Sequence, residues 1–86
     1  MEPENYKRKI AIEIYRLIGE CARKGITTSK GERMSYAAIA RAMDPPRSRV
    51  AVYRTAEGDL NSQLVREAIE RELGRPFWVR RQQRAA

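Results

Sequence analysis

The stretch Ser35-Tyr-Ala-Ala-Ile-Ala-Arg-Ala-Met-Asp-Pro-Pro-Arg-Ser-Arg-Val-Ala-Val-Tyr-Arg-Thr-Ala-Glu-Gly58 decides the fold. Ser35 and Ser48 each precede a short helix-compatible run, and a serine hydroxyl in that place accepts a hydrogen bond from a first-turn N–H. Ser35 thus opens a helix over residues 36–43. Asp44-Pro45-Pro46 stops it, because proline lacks an N–H and disfavours the α conformation in the residue before it. Ser48 opens a second helix over residues 49–57, and Gly58 closes it. Ile39, Ala40 and Met43 on the first helix, with Val52 and Ala56 on the second, point inward. Ala37, Ala38, Ala40 and Ala42 let a neighbouring helix approach closely. An arginine-rich tip, from Arg47 to Arg54, stays outward.

Before this pair, residues 1–5 form a polar lead-in whose Pro3 suits a first helical turn. Ile10, Ile14, Leu17, Ile18 and Cys21 then recur at spacings of three and four, which predicts a helix over 4–24 with one apolar stripe. Ile12 and Tyr15 lie off that stripe, either exposed or forming a second contact surface. Arg23, Lys24 and Gly25 suit its end. Residues 26–33 are aperiodic and read as a loop; Lys30 and Arg33 there are solvated charges or phosphate contacts.

After the pair, Asn61 is the expected N-cap of a further helix, with Leu60 stapled onto Val65. Leu64, Val65, Ala68, Ile69 and Leu73 form its stripe, and Gly74 with Pro76 ends it. Phe77 and Trp78, the largest apolar pair, are a lid on the core or a dimer contact. The expected fold is all-α, one domain over 1–86 of four to five short helices with a central helix–turn–helix. Residues 1–5 and 80–86 are expected to be flexible tails.

Charge points to the partner. The 86 residues carry 18 Lys and Arg against 11 Asp and Glu, a net charge of +7. Residues 1–34 contribute +3, 35–58 contribute +2, 59–74 contribute −2 and 75–86 contribute +4. Clustered arginine at this net charge is the footprint of a nucleic-acid binder, with the acidic segment 59–74 turned away from the polyanion. The chain has no histidine and one cysteine, Cys21. That removes an internal disulfide, Cys–His nucleophiles, histidine acid–base chemistry and most zinc sites. No metal, cofactor or small-molecule substrate is expected, and no enzymatic activity. Nothing approaches the ~20 apolar residues of a membrane span, so no membrane partner and a cytoplasmic location are expected.

The runs Ser35-Tyr-Ala-Ala-Ile-Ala-Arg-Ala-Met43 and Ser48-Arg-Val-Ala-Val-Tyr-Arg-Thr-Ala-Glu-Gly58, followed by a helix closing on Glu72-Leu73-Gly74, resemble the lambda-repressor-like family of phage Cro and repressor proteins. The ending Leu73-Gly74-Arg75-Pro76-Phe77-Trp78 also looks like the Ner-type phage regulators. The turn 44–47, with its two prolines, is longer than the family's glycine-containing turn, and the loop 26–33 is long for its place. The resemblance implies a phage or prophage regulator, or the DNA-binding antitoxin of a toxin–antitoxin pair.

The physics of the tip stands beside that resemblance. First residues of a recognition helix lie deepest in the major groove. Arg49 and Arg54 suit the bidentate guanine contact, worth ~1–3 kcal/mol of discrimination. Val50 is a packing residue or presses on a thymine methyl, and Tyr53 is a core edge or a DNA contact. Tyr36, Arg41, Arg47, Ser48, Arg80 and Arg81 are candidates for phosphate contacts, with Arg84 in the same basic tail. One such helix reads few base pairs, so a homodimer on a two-fold symmetric double-stranded operator is expected, joined through Phe77 and Trp78 or through Ile12 and Tyr15. The rival expectation is a protein-interaction module of helix–turn–helix shape, such as a phage-encoded inhibitor of a host protein, using Phe77, Trp78 and the acidic fourth helix. Nonspecific coating of nucleic acid by the basic termini is the other.

Overall fold

Four helices follow in chain order: α1 Pro3–Lys24, α2 Tyr36–Ala42, α3 Arg49–Glu57 and α4 Gln63–Leu73. The computed structural model describes residues 3–78, with side chains from Tyr6 onward. Among the described residues no strand forms beyond one isolated bridge, and no helix is long and apolar enough to cross a membrane. The expected contacts at Arg80 and Arg81, and Arg84 beside them, lie outside the described residues.

The local signals at 35–58 act as read. Ser35 Oγ accepts the Ala38 N–H at 3.0 Å and Ser48 Oγ accepts that of Ala51 at 3.1 Å. Met43 is the C-cap of α2 and not its last residue. The chain then turns through Asp44-Pro45, a cis peptide, and the Arg47 N–H returns to the Ala40 carbonyl at 3.0 Å. Gly58, at φ 89°, ends α3, and the N–H groups of Asp59 and Leu60 close onto the Arg54 carbonyl.

α3 packs against α1, α2 and α4, which makes it the middle of the structure. The core gathers Ile10, Ile14 and Ile18 from α1, Ile39 from α2, Val52 and Ala56 from α3, and Val65, Ala68 and Ile69 from α4. Leu17 and Cys21 pack at its margin, so the α1 stripe is the one that its spacing predicts. Each large aliphatic side chain buried here contributes about 1.5–3 kcal/mol before chain entropy is set against it. Thr55 is fully buried on α3 and satisfies its hydroxyl by donating to the Ala51 carbonyl at 2.8 Å.

Three expectations are corrected. Ser62, not Asn61, caps α4, its Oγ accepting the Val65 N–H at 3.3 Å. Because a staple needs an apolar residue just before the cap, Asn61 now in that place leaves Leu60 exposed. Leu64 is 61 % exposed, one position outside the buried arc of Val65, Ala68 and Ile69. The loop 26–33 is more ordered than its composition suggests: Thr27 and Arg33 form an antiparallel bridge, and the buried Thr28 accepts the N–H groups of Lys30 and Glu32 at its hydroxyl.

Two acids of the fourth helix are engaged within the fold. Glu70 is buried, and its carboxylate accepts the Phe77 N–H at 2.8 Å and the Trp78 N–H at 3.1 Å. The Glu72 side chain, 2 % exposed, accepts both the N–H and the hydroxyl of Ser29 at 2.7 Å. One glutamate holds the closing segment over the core, and the other holds the loop before α2.

Candidate nucleic-acid interface

On α3, each residue advances about 100° around the axis. Val52, Thr55 and Ala56 fall on the buried side. The opposite arc carries Arg49, Tyr53, Val50 and Arg54, all exposed, with the half-buried Glu57 between the two pairs. Val50, at 47 % exposure, is not buried, and Tyr53, at 42 %, stands at the core edge against Tyr36. Among the described residues neither Arg49 nor Arg54 is paired with a carboxylate. All four base-contact candidates thus share one solvent face. Ser48, beside them at the N-terminus of α3, uses an oxygen lone pair for its cap and keeps its O–H to donate. Arg47 is half-buried in the turn.

The α2 candidates differ. The Arg41 guanidinium is held by Glu32, with Nη2 at 2.6 Å and Nε at 2.8 Å from the same carboxylate oxygen. That hydrogen bond is the chief cause holding the Glu32 carboxyl below its ordinary value. The expected phosphate contact at Tyr36 is corrected: its hydroxyl is closed off from solvent and, among the described residues, has no hydrogen-bond partner. Its ring stands edge-on to Tyr53 instead. Burial, followed by the charge of Glu57, pushes the Tyr36 phenol up to about 12.

Of the candidate partner surface, Phe77 is buried in the core and so is withdrawn from any exposed contact. Trp78 is half-buried, its ring under the Arg66 guanidinium at 5.1 Å and edge-on to Phe77. Ile12 and Tyr15 stand out from α1 at 50 % and 68 % exposure. Besides Arg41 and Arg66, Arg75 has internal partners: it pairs with Glu13 and lies 5.8 Å from the Phe77 ring. Nothing local in the sequence marks those pairs, since each joins residues far apart in the chain. Among the described residues no group of three or more His, Cys, Asp or Glu is placed to hold a metal ion.

Scans against family models, curated proteins and solved structures each return no match to this chain.

Proposed function

We propose that the chain is a sequence-specific double-stranded DNA-binding regulator, a repressor of phage or prophage type that works by occupying its operator and needs no catalytic group. In this reading the segment 35–58 is a helix–turn–helix, and α3 enters the major groove with Arg49 and Arg54 on guanine edges, Val50 on a thymine methyl and Tyr53 beside them. What carries the reading is the outward arc of α3: two arginines paired with no carboxylate among the described residues, and two exposed apolar or aromatic side chains, on one face of a capped helix. The +7 net charge and the resemblance of 35–58 to lambda-repressor-like proteins support it. A homodimer on a two-fold site completes the proposal, with the exposed Ile12 and Tyr15 of α1 as its contact surface. An antitoxin role uses the same interface.

The test is selection of bound duplexes from a random pool, followed by affinity for the selected and scrambled sites across a salt series. Arg49→Ala and Arg54→Ala are each expected to lose ~1–3 kcal/mol of preference for the selected site while a salt-dependent background persists. Equal affinity of the wild-type protein for selected and scrambled duplexes would sink the specific reading. A second reading, a protein-interaction module, is favoured only by the exposure of Ile12 and Tyr15. It predicts that Tyr15→Ala abolishes capture of a protein partner while Arg49→Ala and Arg54→Ala change nothing.

A further inference from the structure

Helix α1 carries a basic face of its own, apart from the α3 tip. Arg16, Gly19 and Arg23 follow at spacings of three and four, which places them on one side of the helix. With Tyr15, Ser35 and Tyr36 they line an open groove of about 560 Å³ between α1 and the start of α2. Glycine inside a helix lowers its stability. Yet the fold does not demand glycine at 19, since an added Cβ would meet only Arg23 Nη1, at an ordinary 3.6 Å. What the missing side chain leaves is a low strip of helix backbone at the half-buried Gly19, with the Arg23 guanidinium lying back over it.

Arg16 and Arg23 are exposed, and among the described residues neither is paired with a carboxylate. Among the described residues Glu20 is the one acid lining the groove, and both Glu20 and Arg16 also line the groove on the other flank of α1. Tyr36 borders both this groove and the neighbouring one that reaches Tyr53. A surface therefore runs from Tyr53 of α3 across Tyr36 to Arg16 and Arg23, with Glu57 and Asp59 set against Lys7 and Arg8 at its α3 end. Guanidinium forks match phosphate oxygens in geometry as well as charge.

We infer that this groove seats the sugar–phosphate backbone of duplex DNA next to the base pairs read by α3. Arg16 and Arg23 each take a phosphate, and Gly19 lets the strand come close to the helix. The inference rests on the DNA-binding reading above. Its test is the slope of log K against log salt for the full chain on its selected duplex. Each phosphate contact adds about 0.9 to that slope, so the Arg16→Ala, Arg23→Ala double variant is expected to lower it by about 1.8 with base preference intact. The charge-matched Lys9→Ala, Arg71→Ala double variant is expected to lower it much less. Gly19→Leu, which changes no charge, is expected to weaken binding while far-UV circular dichroism stays helical. A wild-type slope in the Arg16, Arg23 variant, or an equal fall in the Lys9, Arg71 variant, overturns the inference and leaves the DNA reading standing. A wild-type protein that binds no duplex overturns both.

Discussion

Tyr36 stands edge-on to Tyr53, ring centroids 5.4 Å apart and planes at 87°, while its own hydroxyl is closed off without a hydrogen-bond partner among the described residues. The contact ties α2 to the outward face of α3. A buried polar atom left unsatisfied costs ~1–3 kcal/mol. Tyr36→Phe keeps the ring contact and removes that atom, so it is expected to raise stability by about 1 kcal/mol in urea unfolding. The phenol lies above its ordinary value of 10.0, at about 12. Its contribution is therefore complete below pH 10 and lost as pH rises through about 12. Alkaline destabilisation across that window is expected to be shallower in Tyr36→Phe than in the wild type. Because the hydroxyl is hidden, the same variant should bind duplex DNA as tightly as the wild type.

The glycines that close α3 and α4 separate backbone conformation from packing. Gly58 and Gly74 both adopt the left-handed conformation, at φ 89° and 76°. A Cβ at 74 would meet nothing within 4 Å, whereas at 58 it would lie 2.9 Å from the Lys7 side chain, where α1 crosses the end of α3. Gly74→Ala is expected to cost the conformational penalty alone, ~1–2 kcal/mol. Gly58→Ala should cost more, read as a lower urea midpoint than Gly74→Ala at unchanged slope. If the two fall equally, the Lys7 contact is not tight in solution.

These helix ends were legible because capping is a local transaction between residues a few positions apart. Ser35, Ser48, Gly58 and Gly74 all stop or start helices where their neighbours require it. At 60–62 two adjacent polar residues compete for one cap, and only the fit of Val65 into the core decides for Ser62. Periodicity found the buried faces of α1 and α3, but it placed Leu64 inward because its spacing alone does not say where the arc ends. The burial of Met34 and Thr28, the carboxylates of Glu70 and Glu72, and the pairing of Arg41 with Glu32 depend on tertiary contacts that no short window contains. At the candidate interface, the outward arc of α3 followed from helical spacing, whereas the closing off of the Tyr36 hydroxyl and the pairing of the exposed Arg41 with Glu32 did not.

Glu70 anchors the closing segment through the N–H groups of Phe77 and Trp78. Removing its carboxylate leaves two N–H groups at the core edge without that acceptor. Glu70→Ala is expected to lower stability by ~2–4 kcal/mol, since each lost buried bond costs ~1–3 kcal/mol and water recovers part of it. Trp78 is the chain's one tryptophan, so release of the segment would also shift its emission to the red before global unfolding. A stability loss with no spectral change would mean that the segment stays docked through Phe77 alone.

The Arg41–Glu32 pair sets the electrostatic contribution of α2 to any DNA face. Both side chains are well exposed, so the pair adds little to folding, and Glu32→Gln should leave the thermal midpoint at neutral pH almost unchanged. Glu32 titrates below its ordinary value of 4.5, so what the pair does add is present above pH 4.5 and lost as pH falls below it. The acid limb of the stability curve is then expected to be slightly steeper in the wild type than in Glu32→Gln. For DNA the sign is opposite, because a freed Arg41 gains a phosphate where Glu32 had neutralised it. Glu32→Gln is therefore expected to tighten duplex binding and to steepen the salt slope by about 0.9, one phosphate contact. Glu67→Gln on α4 makes the same change in net charge away from the interface, and should leave that slope near its wild-type value. Equal tightening in both variants would assign the effect to overall charge and remove Arg41 from the contact surface.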